Sequence, residues 1–272
     1  MRGEKNNPTK EKVQPLPKLL MFESKLNVKL KEDTHQYFDV AGVEYLSVTA
    51  FLHSFTTEKD WNKLLSLSAK KKGVSIEMLK KEWENKKNNS AAEGTRLHNI
   101  LQRYSEYGVV DEKDRFFKSA VYEIHKLFTD YKKSFNEQPV FSEKHLLAGT
   151  IDKACFFSEK NKKCIDIYDY KTNKEKGIQY ENSYGDYFKP PLDHLQECNY
   201  LMYVLQLSLY ARMIEITWGY KIGKLSLIFI PLSKPEQWFL IPVPYMKAEV
   251  DAMLAIREAW VGSSQKIIFV KE

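Results

Sequence analysis

Apolar positions recur with two periods along this chain. Alternation at residues 25–31 (KLNVKLK) and 36–40 (QYFDV) predicts two strands, and 43–48 (VEYLSV) predicts a third. Ser47 or Thr49 is placed to cap a short helix over AFLHSF. Residues 58–71 and 75–88 read as charged helices with Trp61 and Trp83 as anchors into the body, and Asn88, Asn89 and Ser90 break the run. Ser90 and Glu93 have capping-box spacing for a helix that ends near Glu106, before Gly108. Its Leu97, Ile100, Leu101 and Tyr104 form one stripe. A further helix fits residues 112–135. The pattern then turns strand-like at 139–147, 149–157 and 164–171, with a turn at Glu159–Lys162 between the last two. An irregular loop over 172–193 ends in Pro190-Pro191. A long helix at 194–218, strands at 225–231 and 237–243, and a helix at 246–260 complete the chain. This order predicts an α/β fold, a mixed sheet flanked by helices. Three segments are expected: a flexible basic tail (1–20), an N-terminal strand and basic helical extension (21–90), and a core (91–272).

Composition narrows the class. With 43% apolar and 29% charged residues among 272, the chain is neither disordered throughout, collagenous nor a coiled coil. No run of about 18 uncharged apolar residues predicts a membrane span. The first twenty residues lack the apolar stretch of a signal peptide. Three cysteines argue against a disulfide framework and for a reducing compartment. A soluble cytoplasmic protein with no membrane partner is expected. Net charge is +6, and the excess is local: residues 1–20 carry five basic and two acidic side chains, and residues 58–89 nine lysines against five acids. A basic arm beside a nearly neutral body suits a polyanion such as nucleic acid. On charge alone, lysine-rich helices equally describe solvated faces.

The segment AGTIDKACFFSEKNKKCIDIYDYKT carries the chemistry. A hairpin centred between Lys160 and Asn161 places Asp152 directly opposite Asp169. Lys171 shares the face of Asp169, while Asp166, Tyr168 and Tyr170 point away. Like charges opposed on a sheet repel, and a hard divalent cation such as Mg²⁺ resolves the conflict through carboxylate oxygens. Lys171 is then placed to orient or help deprotonate an attacking water, or to balance charge as a phosphate leaves. His98 lies on the capped helix four residues after Gly94, so the two share a face. An imidazole there is able to ligate the cation, and the glycine permits close approach of the helix to a strand or phosphate. On the long helix, Gln196, Asn199, Tyr203, Gln206 and Tyr210 step by three and four, and residues 198–211 hold no charge. Glutamine and tyrosine at that spacing suit phosphates and bases, and core packing accounts for Tyr203 equally well.

Together these motifs resemble the RecB-type branch of the PD-(D/E)xK nuclease superfamily, especially the stand-alone exonucleases of phages and of mitochondrial genome maintenance. The matching residues are EGTRLH (93–98), GTID (149–152), DYK (169–171) and QLSLY (206–210), in the family's order, and the segment HQYFDVAGVEYLSVTAFL matches its entry region more loosely. The resemblance implies a restriction-endonuclease-like core over residues 91–272 and a DNA exonuclease acting on single-stranded or end-frayed DNA with one or two Mg²⁺ or Mn²⁺ ions, in replication, recombination or repair. It implies His98, Asp152, Asp169 and the Tyr170 carbonyl as metal ligands and Lys171 as catalytic, with Asp152 and Asp169 serving both roles. Gln206 and Tyr210 would support the site, and Glu143, on the preceding strand, is a second candidate acid. Gly94, Thr95, Lys174, Lys176, Gln196 and Tyr203 would meet the DNA. Some relatives hold an iron–sulfur cluster on four cysteines; with three here, none is expected. No Walker A sequence occurs, so a helicase motor, like a recombinase partner, would be another chain. The rival reading is a non-catalytic nucleic-acid-binding or recombination-accessory protein on a nuclease scaffold, and RNA stands as an alternative substrate.

Overall fold

The computed structural model describes residues 28–31, 36–172 and 177–269, and its first three strands form a meander. These strands, β1 (Lys29–Lys31), β2 (Gln36–Phe38) and β3 (Glu44–Ser47), pair antiparallel in sequence order. The tail at 1–20, and part of the first expected strand, lie outside the described residues. Ser47 caps α1 (Val48–His53) by accepting a hydrogen bond from the Ala50 amide. Asp60 and Ser75 cap α2 (Trp61–Lys72) and α3 (Ile76–Tyr107) in the same way, and each helix ends at a left-handed glycine, Gly73 or Gly108.

α3 is one unbroken helix of 32 residues, which corrects two expectations. Asn88, Asn89 and Ser90 do not interrupt it, so Ser90 caps nothing and the division drawn at residue 90 falls inside a helix. Asparagine and serine each lower helix propensity by well under about 1 kcal/mol. Stopping and restarting would instead expose two new sets of unpaired backbone groups. Trp61 and Trp83 pack edge to face against each other, 6.5 Å between centroids, and Trp61 stays largely exposed. They clamp α2 to α3 and do not anchor either helix in the body.

A 3₁₀ turn (Glu112–Phe117) and α4 (Lys118–Lys126) replace the single helix expected to residue 135. Phe117, Val121, Ile124 and Phe128 extend the helical spacing beyond the helix itself, because Phe128 is buried against Tyr168 after the chain has turned. β4 (Lys133–Ser142) starts earlier than the strand expected at 139–147, and residues 143–146 form a turn. Pro139 is tolerated because β4 is an edge strand, paired only with β5 (Leu147–Glu159).

β5 and β6 (Lys162–Lys171) form the expected hairpin about Lys160 and Asn161, both at positive φ, with pairs running from Glu159–Lys162 to Lys153–Tyr168. α5 (Asn199–Trp218) crosses over to β7 (Lys221–Phe229), parallel to β6, and β8 (Phe239–Pro242) returns antiparallel before α6 (Lys247–Phe269). The result is a mixed eight-stranded sheet, β1-β2-β3-β5-β6-β7-β8, with β4 along the other edge of β5. Helices cover both faces. α1, α5 and α6 pack on Ala154, Phe156, Ile165, Ile167, Leu225 and Leu227, and α3 and α4 pack on Cys155, Tyr168, Tyr170 and Ile228. α5 is buried almost all round, which explains its lack of charge. It starts at Asn199, not 194, because the preceding residues bridge Gln196 to Tyr187. Among the described residues no helix is long and apolar enough to cross a membrane.

Candidate active site

The sheet forks at the center of β5. Its edge pairs with β6 only from Lys153 onward, and with β3 only at Leu147 and Ala148. Residues 149–152 therefore have no strand on that edge, while β6 runs on beside β7 to the Lys171–Phe229 pair. Asp152 sits at the point of divergence. Continuing the β5–β6 register brings it opposite Asp169, as expected, but the ladder stops one pair short. Two facing carboxylates oppose close pairing, and Asp152 Oδ2 instead accepts the Tyr170 amide at 2.7 Å.

Burial raises the charge conflict. Asp152 and Asp169 are both buried, at 9% and 3% exposure. Burial pushes Asp169 up to about 6, with the Lys171 ammonium only partly offsetting it. Asp152 is likewise raised by burial, against the pull of His98. Lys171 Nζ lies 2.6 Å from Asp169 Oδ2, and apart from this ion pair that buried oxygen has no donor. Burial alone would depress the Lys171 amine, but Asp169 and Asp152 hold it above its ordinary range. It is an ammonium at neutral pH.

His98 arrives from α3. Its Nδ1 is 3.6 Å from Asp152 Oδ1 and 3.8 Å from Glu137 Oε1, and its Nε2 is 3.3 Å from the Tyr170 carbonyl oxygen. Burial works against the imidazolium, but Asp152 and Glu137 override it and raise the group to about 9. Glu137 is the residue that sequence reasoning missed. It stands opposite Asp152 in the β4–β5 register, at a position that makes no ladder pair and takes φ +49°. His98, Glu137 and Asp152 offer ligand atoms all within 4.8 Å of one another. Glu143, the acid expected on this strand, is exposed in the turn after β4, at the far end of the hairpin from Asp152. Only the starting point of β4 distinguishes the two acids. The available signal was the Asn136-Glu137-Gln138-Pro139 run, whose proline marks an edge strand already under way.

α5 places Gln206 and Tyr210 beside Lys171. Lys171 donates to Gln206 Oε1 at 3.4 Å, Gln206 donates to the Tyr210 hydroxyl at 3.0 Å, and the ammonium lies 4.5 Å from the center of the Tyr203 ring. The Tyr210 ring presses on Gly149, where a Cβ would come within 2.4 Å of a ring carbon. Gly94 approaches Thr172, just past Lys171, with room for a methyl at 3.5 Å. Thr95 is exposed on the neighbouring turn of α3. Gln196 is not on the α5 stripe: it donates to the Asn182 carbonyl at 3.3 Å and braces the loop before the helix. Lys174 and Lys176 lie outside the described residues. Along α5, one turn before Tyr203, opens a cavity of about 930 Å³ whose wall carries Trp61 and Tyr184, and Lys59 and Lys189 paired with Glu197 and Glu58. Asp152 and Asp169 are not part of its wall.

The His98 imidazole, the Glu137 and Asp152 carboxylates and the Tyr170 main-chain carbonyl suit a hard divalent cation; Asp169 stands outside that group, its buried Oδ2 held by the Lys171 ammonium. No protein-family model matches this chain, and no curated protein does.

Proposed function

We propose that this protein is a divalent-cation-dependent nuclease with a restriction-endonuclease-like core of the RecB type, hydrolysing phosphodiesters from the ends of single-stranded or frayed DNA. The observation that carries this reading is the convergence of His98, Glu137 and Asp152 at the fork of the sheet, with the buried Asp169–Lys171 ion pair on the strand that faces Asp152. His98, Glu137, Asp152 and the Tyr170 carbonyl are the groups to hold Mg²⁺ or Mn²⁺. The ion, when bound, supplies Lewis acidity at the phosphoryl oxygen.

The chain's own residues account for the rest. Lys171 is tethered by Gln206 and ion-paired with Asp169, so it serves as a fixed donor to a developing phosphate charge. Tyr210 and Gln206 hold that donor in place from a rigid, buried helix. The cavity along α5 offers the rings of Trp61 and Tyr184 and several side-chain amides for stacking and hydrogen bonding to an unpaired strand, while its two lysines are matched by Glu58 and Glu197. A purely binding role is disfavoured, because clustered carboxylates repel a phosphate backbone unless a cation lies between them.

The test is digestion of end-labelled single- and double-stranded DNA, linear and circular, with Mg²⁺, Mn²⁺ or EDTA. Cation-dependent loss of linear substrate is expected, abolished by Asp152→Ala or Lys171→Ala with DNA binding retained. Retention of DNA with no cation-dependent turnover, or normal digestion by both variants, would reject the assignment.

A further inference from the structure

Lys153, the residue after Asp152, is wholly buried. Its ammonium donates to Ser105 Oγ at 2.9 Å and to Asn136 Oδ1 at 3.0 Å, and lies 5.0 Å from the center of the Phe128 ring. Among the described residues no carboxylate forms an ion pair with it. A buried cation answered only by a hydroxyl, an amide and a ring face is costly to stability. A methionine would fill the same slot without that penalty.

What the ammonium joins explains its presence. Ser105 is on α3, two turns beyond His98 and so on the same side of the helix. Asn136 immediately precedes Glu137, whose φ of +49° turns its side chain out of the ladder. Lys153 itself immediately follows Asp152. The three segments tied by these two hydrogen bonds are the three that carry the His98, Glu137 and Asp152 cluster. Apart from the contacts of His98 itself with Tyr170, Glu137 and Asp152, α3 rests on the sheet through apolar contacts of Leu97, Ile100 and Leu101, and such contacts are non-directional. They hold the helix against the sheet without fixing its position along its own axis.

We infer that Lys153 is a positioning residue, whose ammonium sets the axial register of α3 and the course of β4 so that His98 and Glu137 meet Asp152 at one cation site. This rests on the reading of that cluster as a metal centre, and the wild-type protein is the control for that reading.

The experiment compares wild type, Lys153→Met and Ser105→Ala by Mn²⁺ titration calorimetry, urea unfolding and the electron paramagnetic resonance spectrum of bound Mn²⁺. Lys153→Met keeps the volume of the stem and removes the charge and the donors. Its stability without metal is expected to equal or exceed that of wild type, while its Mn²⁺ affinity falls about 10–100-fold and its spectrum broadens. Ser105→Ala removes one acceptor and gives a smaller loss in the same direction. DNA digestion by Lys153→Met should recover as Mn²⁺ is raised, whereas Lys171→Ala should not recover. A folded Lys153→Met that binds Mn²⁺ with wild-type affinity overturns the positioning role alone. If Lys153→Met fails to fold, Ser105→Ala decides by the same criterion. A wild-type protein that binds no Mn²⁺ overturns the metal centre and this role together.

Discussion

Replacing Gly149 with alanine would put a methyl group 2.4 Å from one carbon of the Tyr210 ring and 3.0 Å from two further atoms, the hydroxyl oxygen among them. The ring cannot swing aside freely, since Tyr210 is only 3% exposed and sits on a helix buried almost all round. Overpacking of this kind costs about 1–3 kcal/mol, which for a chain of this size lowers the melting temperature by about 2–12 °C. The damage should also reach the site, because Tyr210 accepts from Gln206 and Gln206 accepts from Lys171. Cleavage at 25 °C, where the variant is still folded, is therefore expected to fall beyond what lost stability explains. Gly94→Ala is the control: its methyl meets Thr172 Oγ1 at an ordinary 3.5 Å, and a mid-helix alanine adds up to about 1 kcal/mol of stability. Both can be read by thermal and urea unfolding beside the DNA digestion. In a Tyr210→Ala background, Gly149→Ala should cost almost nothing, since the two changes remove the same contact. A Gly149→Ala protein that melts at or above wild type would refute this packing of α5 on β5.

Two further outcomes follow from the same geometry. Glu137→Gln should weaken Mn²⁺ binding at least about tenfold while Glu143→Gln leaves it unchanged, both by calorimetry; equal losses would mean that β4 is out of register. His98 is raised to about 9 from 6.5 by its carboxylates, so in metal-free protein its charge stabilises the fold fully below about pH 6.5, and that contribution is lost as pH rises through about 9. A cation must displace this proton. Mn²⁺ affinity should thus climb with pH up to about 9, with proton release visible as a buffer-dependent binding enthalpy. Affinity that is flat over this range in the wild type would show that His98 is not a ligand.

The β5–β6 hairpin was legible because its information is local. Asparagine at a tight turn and two alternating runs are enough to set a register, and the register brings Asp152 to Asp169. The stop at Gly108 and the cap at Ser47 are equally local, each a matter of which backbone groups a neighbouring side chain or a left-handed residue can satisfy. Local signals also misled. Asn88-Asn89-Ser90 carries the composition of a helix break, yet the penalties are small beside those of two new helix ends. Phe128 kept helical spacing past the end of α4 because it packs on Tyr168, a contact with no trace in the neighbouring sequence. That error displaced β4, and with it the choice between Glu143 and Glu137.

By itself, the sequence determined the composition of the site: which acids, which imidazole and which amine are available, and the hairpin that brings two of the acids together. The tertiary structure decided which of the remaining groups reach them. The fork that frees residues 149–152, the position of Glu137 opposite Asp152 and the ammonium of Lys153 between α3 and β4 each depend on strands and helices distant in sequence. Periodicity reports which face of an element is apolar, whereas the register between two elements is set by the packing of both, and one element's pattern holds no record of the other.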